Sequence, residues 1–152
     1  MITISPGHFG IGTGAVGFID EVEEAIKVVN EVARILKAKG IVVHKVFDET
    51  SKNRRDNLRF LARAHAKTSR KVDIFVHFNA TEKLETRSIG TEVFYKNKEL
   101  EPLAKSLSSA ISEAAGFKNR GAQNHEQLYV LNPSSVGGVL LDLCVVNSIQ
   151  DV

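Results

Sequence analysis

Asp142 interrupts an apolar run, Val139-Leu140-Leu141-Asp142-Leu143-Cys144-Val145-Val146. A carboxylate in such a run is costly unless it is paired, hydrogen-bonded or neutralised. Two uses fit it: a structural Asp satisfied by a neighbouring backbone group or cation, or a buried general base or metal ligand with a raised pKa. Two histidines occupy comparable places. His8 follows Pro6-Gly7 at the end of the first apolar segment, and His77 lies near the end of another, residues 72–78. Each alone reads as a satisfied structural histidine. Taken with a carboxylate, two neutral imidazoles make the ligand set of a catalytic zinc site, which keeps a coordination position open for water.

The third ligand is sought among Glu21, Glu23 and Glu24, which open a long amphipathic segment. At about 100° per residue, Glu21 lies closest to the apolar face and is the one best aimed inward. Glu23 fits a capping box with Asp20, and Glu24 faces solvent. All three also suit the helix dipole. There is no HExxH spacing, so the fold has to bring His8, Glu21 and His77 together.

The elements that must do so are legible in the periodicity. Apolar residues at 22, 25, 26, 29, 32, 33 and 36 predict a helix over 21–38, ended by Gly40. Further helices are expected over 52–67, basic on its outer face, and over 99–115, closed by Gly116. Strands are expected at 3–5, 41–47, 72–78, 90–95, 128–131 and 138–145. This alternation predicts an α/β fold: a three-layer sandwich, with a mostly parallel twisted sheet of about six strands and helices on both faces. In such sheets sites gather beyond the carboxyl ends of the strands, which is where His8 and His77 fall.

Composition bounds the rest. The 152 residues are 43% hydrophobic and 25% charged, the balance of one globular domain able to bury a core. A net charge of +2 gives no footprint for nucleic acid. The single cysteine, Cys144, excludes a disulfide framework and reads as a small core residue. No apolar run approaches the roughly eighteen residues of a membrane span, and no basic stretch with an apolar leader follows Met1. The expectation is a protein made in a cytoplasm without a signal peptide.

Gly12-Thr13-Gly14-Ala15-Val16-Gly17 matches GxGxxG but fails as a dinucleotide fingerprint. Residues 6–11 separate it from the strand, the helix cap comes only at Asp20, and Asp48 lies too far on to be the ribose-binding acid. Ser134-Ser135 lacks a nucleophile-elbow context. Arg120-Gly121 reads as an anion contact or a turn, and residues 52–56 as a solvated helix start. His44, His65 and His125 default to surface or structural roles.

Nearly the whole chain resembles the zinc-dependent N-acetylmuramoyl-L-alanine amidases of bacterial autolysins and phage endolysins. Ile4-Ser5-Pro6-Gly7-His8 is similar to the family's strand ending in Gly-His, and Glu21 to the glutamate opening its first long helix. Val76-His77-Phe78-Asn79-Ala80 resembles its His-x-Asn-Ala segment. Asn119-Arg120-Gly121-Ala122 and then Leu128-Tyr129-Val130-Leu131-Asn132 resemble the stretch before its last catalytic strand. The resemblance implies that His8, Glu21 and His77 bind one Zn²⁺, with Asp142 as catalytic acid/base and Asn79 and Arg120 as substrate contacts. It implies peptidoglycan as the substrate, cut between N-acetylmuramic acid and L-alanine, by a monomer that binds no nucleic acid and inserts into no membrane. Its likeness to phage endolysins implies action on the cell wall after release through a holin pore.

Two departures from the family are visible. Asp142 stands where the family has Glu, so its carboxylate must approach by roughly 1.5 Å through a backbone shift, or act through a second water, to do the same work. The chain also stops soon after its last strand, which implies a single catalytic domain over 1–152 without a final helix or a wall-binding module, and weak affinity for intact walls. The alternatives are a zinc-containing wall binder with impaired turnover and another metallopeptidase on the same fold.

Overall fold

β-Branched and aromatic residues of β1 (Ile2–Pro6) and β3 (Val72–Asn79) build adjacent strands inside a six-stranded sheet, ordered β2-β1-β3-β6-β4-β5. The computed structural model describes residues 1–67, 72–128, 131 and 137–152. Around these two strands lie α1 (Glu21–Ala38), β2 (Val43–Lys45), α2 (Arg54–Ala66), β4 (Thr91–Tyr95), α3 (Glu101–Ala115), β5 (Asn119–Asn124) and β6 (Gly138–Val145). Strands β2, β1, β3 and β6 run parallel. β4 turns back antiparallel to β6, and β5 follows β4 in parallel. The expected α/β architecture is present.

Side-chain alternation divides the core into two layers. Ile4, Val76, Val93, Val139 and Leu141 form one buried cluster with Ala25, Val29 and Ala33 of α1 and Ala104 of α3. Phe75 and Leu140, paired in register on the other face, pack with Leu61 of α2 and with Val46 and Leu131. Helices α1 and α3 therefore cover one face and α2 the other.

Caps fix the helix entries. The Asp20 carboxylate accepts from Val22 N (2.9 Å) and Glu23 N (3.0 Å). Glu23 does not complete a capping box; its carboxylate turns to Lys27 Nζ (3.1 Å), a turn further along. Asn53 caps α2 by accepting from Asp56 N (3.0 Å), so this helix begins at Arg54 and not at Lys52.

The sheet departs from expectation at its edges. β2 is shorter than the apolar run 41–47 suggests, because only Val43–Lys45 pair with β1. The edge strand β5 runs through Asn119–Asn124, where the sequence pointed to a turn or an anion contact. Apart from Gly121 and Ala122 its residues are polar, all are half-buried or exposed, and Gly121 at φ 83° sits where the register with β4 shifts. An edge strand with little to bury carries little hydrophobic alternation. Of the strand expected at 128–131, residues 129 and 130 lie outside the described residues, as do Ser134 and Ser135.

Candidate metal centre

His8, Glu21 and His77 converge from three elements. Beyond β1, Gly7 N still donates to Val76 O of β3 (2.8 Å), which carries the chain one step further alongside that strand. A Cβ at Gly7 would overlap the His77 ring, so glycine is required for the approach. His8 then takes φ 63°, the one non-glycine positive φ among the described residues. The two imidazoles stand edge to face, with centroids 5.4 Å apart.

Glu21, the first residue of α1, is only 2% exposed and lies between them. Its Oε1 is 3.0 Å from His77 Nδ1 and accepts from Phe78 N (3.0 Å). Its Oε2 is 3.0 Å from His8 Nε2 and accepts from Ala15 N (2.7 Å). Burial pushes the Glu21 carboxyl up, but hydrogen bonds and charge from His77 and His8 outweigh it and hold the group far below the usual carboxylate range. Gly14, from the misleading GxGxxG match, has its purpose here: a Cβ on it would stand 2.6 Å from Glu21 Oε2 and 2.8 Å from the His8 ring.

One donor atom from each of the three residues falls within 4.8 Å of the others, close enough to share a metal ion. Two imidazole nitrogens and a carboxylate oxygen are a donor set suited to zinc. Among the described residues His77 Nε2 is buried without a hydrogen-bond partner. These groups alone thus leave the cluster unsatisfied, which is the condition a cation removes. A cavity of about 380 Å³ opens on these residues and is walled by Arg54, Leu58 and Leu61 of α2 and by Leu140.

Asp142 lies beside the cluster. It pairs in register with His77 on β3 and with Glu92 on β4. Burial pushes its carboxyl up to about 6; Glu92 and Glu21 add to the rise, and His77 and Arg120 oppose it. Arg120 reaches across from β5 to place Nη2 2.7 Å from Glu92 Oε1. Glu92 is 5% exposed and was missed by sequence reasoning. Its signal was of the same kind as that of Asp142, a carboxylate flanked by strand residues that bury.

Asn79 sits two residues past His77 and accepts from Ala80 N through Oδ1 (2.8 Å). Cys144 is buried and its thiol is pushed up to about 12, chiefly by burial, which leaves it inert at neutral pH. His65 is structural: it is buried between Asp73 (3.0 Å) and Ser5 (3.1 Å) and stacks on Phe75.

A family model described as N-acetylmuramoyl-L-alanine amidase matches residues 2–152. The chain is 28% identical over 155 aligned residues to an uncharacterized protein of Clostridium perfringens strain 13, covering 99% of this chain and 45% of that protein. It is 30% identical to an uncharacterized 38.4 kDa protein of Clostridium perfringens, with 99% and 44% covered. It therefore spans less than half the length of these curated relatives. Its fold matches that of the catalytic domain of the CD27L endolysin targeting Clostridia difficile, with a TM-score of 0.88 at 23% identity, over 99% of this chain and 84% of that one. A match along essentially the full chain, on a fold shared with such a catalytic domain, settles its kinship: the chain belongs to the N-acetylmuramoyl-L-alanine amidase family.

Proposed function

We propose that this chain hydrolyses the amide bond between N-acetylmuramic acid and L-alanine in peptidoglycan. In this reading His8, Glu21 and His77 hold one Zn²⁺ and Asp142 is the catalytic acid/base. The observation that carries it is the meeting of two imidazoles and a 2%-exposed carboxylate beside a second acid, in a chain of this family. Zinc would supply Lewis-acid polarisation of the scissile carbonyl and a water acidified to a pKa of about 7.

The remaining work falls to the protein. Asp142, with its carboxyl raised to about 6, is ionised at neutral pH yet basic enough to take a proton from the attacking water. It then returns that proton to the departing amine of L-alanine. Glu92 anchors Arg120 by the 2.7 Å ion pair, which presents the guanidinium at the Asp142 side as a substrate contact; Asn79 is a second contact at the end of β3. Release through a holin pore and action at the wall follow from the same reading. Among the described residues no helix is long and apolar enough to cross a membrane.

A second reading, a wall binder that keeps the metal but turns over poorly, rests on one residue: Asp142 is a methylene shorter than the Glu of the family. The deciding experiment measures release of L-alanine amino termini from purified walls, with and without chelator, and identifies the broken bond by mass spectrometry of the muropeptides. Chelator-sensitive release at the muramoyl–alanine bond supports the amidase. No turnover at stoichiometric zinc, with a gain on Asp142→Glu, supports the binder. Cleavage elsewhere in the peptide refutes both.

A further inference from the structure

Asn57 of α2 uses a single amide nitrogen for two bonds. Nδ2 donates to the main-chain oxygen of His8 (3.0 Å) and to Asp48 Oδ2 (2.8 Å). Both residues are buried, Asn57 at 2% and Asp48 at 6% exposed. Asp48 is itself fixed, because its Oδ1 accepts from Thr50 N (3.0 Å), Thr50 Oγ1 (3.1 Å) and Ser51 N (3.0 Å). An ionised carboxylate and a carbonyl oxygen are acceptors only. With both flanking the same nitrogen, the amide of Asn57 has one orientation that satisfies them.

The residue whose carbonyl is held is also the one with an unfavourable backbone. His8, at φ 63°, is the described non-glycine in the left-handed region. That conformation is unfavourable for an L-residue and persists only where the surroundings over-determine it. The Gly7 contact and the His8–Glu21 pair act on the residue before it and on its ring. The Asn57 bond acts on its peptide group, from the opposite side of the fold and forty-nine residues away.

We propose that Asn57, oriented by Asp48, is a positioning residue for the metal centre: it clamps the His8 carbonyl and so holds the left-handed turn that brings the imidazole to Glu21 and His77. The inference rests on the metal reading above. It adds two residues that no ligand motif contains, and it ties the strength of metal binding to the loop after β2.

The test compares the whole chain with Asn57→Leu, which keeps the volume and removes the donor, and with Asp48→Asn, which lets the Asn57 amide turn over. Ile111→Ala, in α3 on the far side of the sheet, reports on general destabilisation. Zn²⁺ affinity is measured by competition with a chromophoric chelator, coordination by the visible spectrum of the Co²⁺-loaded protein, and folding by near-ultraviolet circular dichroism. Asn57→Leu is expected to lose about 10–100-fold in Zn²⁺ affinity, the usual effect of removing a group that orients a ligand. It should also alter the Co²⁺ spectrum while remaining folded. Asp48→Asn should move both in the same direction, and Ile111→Ala should lower the melting temperature with affinity within about twofold of the parent.

The proposal is overturned if the folded variants bind Zn²⁺ as tightly as the parent, or if Ile111→Ala loses as much affinity as they do. Should Asn57→Leu fail to fold, Asp48→Asn decides by the same criterion. A parent chain that binds no Zn²⁺ overturns the metal reading and the clamp together, whereas a parent that binds and variants that bind equally overturn the clamp alone.

Discussion

Glu92 and Asp142 face each other directly across the β4–β6 pair, two carboxylates in one antiparallel register, and Arg120 pairs with Glu92 at 2.7 Å. Burial raises the Asp142 carboxyl to about 6, the carboxylate of Glu92 opposite adds to the rise, and Arg120 opposes it. Burial, with an acid opposite, thus lifts an ordinary aspartate towards neutrality.

Asp142→Asn should remove activity and raise stability together. The folded-state value of about 6 lies above the ordinary 3.8, so the folded state holds this proton more tightly than the unfolded chain. Stability is then lost as pH rises from about 4 to about 6 and stays lost above that. The amide abolishes the loss. We expect turnover to fall by about 10²–10⁴, and the metal-free variant to melt several degrees above the parent at pH 7 but not at pH 4. Equal melting temperatures at pH 7 would contradict the raised value.

The acid limb belongs to Glu21. Its carboxyl is held below the ordinary 4.5, so its contribution is present above that pH and is lost as pH falls towards the folded value. Glu21→Gln should lower metal-free stability at pH 7 and make it less sensitive to acid below about pH 4.5. Thermal melts across pH 3–7 check this, with abolished Zn²⁺ binding as a second readout.

Arg120→Ala strands the buried Glu92. With the guanidinium one-third exposed, the loss should be about 2 kcal/mol, less than for a fully buried pair. Glu92→Gln added to Arg120→Ala should recover most of it. Urea unfolding of the single and double variants measures the difference, and a larger loss in the double variant would show that the pair does not act as drawn.

Gly14→Ala puts a methyl 2.6 Å from Glu21 Oε2 and 2.8 Å from the His8 ring. The His8–Glu21 pair must yield, since both side chains are already tied to each other at 3.0 Å. Zn²⁺ affinity is expected to fall by at least about tenfold, while Gly12→Ala, at φ 83° with open space around it, should cost backbone strain and leave affinity intact. Calorimetric titration separates the two.

The amphipathic spacing of α1, the apolar runs of β1, β3 and β6, and the placement of His8 and His77 at strand ends were all readable along the chain, because burial imposes a period on residue types. Glu21 could be chosen over Glu23 and Glu24 by helical angle alone, and it is the one buried at 2%. Asp142 declared itself by interrupting apolar neighbours. Only tertiary structure decided what these groups meet. β5 was hidden because an edge strand has little to bury. Glu92 acquired meaning through the strand order that lays β4 against β6. The Asp48–Asn57–His8 chain joins residues 49 apart through a hydrogen bond to a carbonyl, a group every residue carries and no sequence pattern marks.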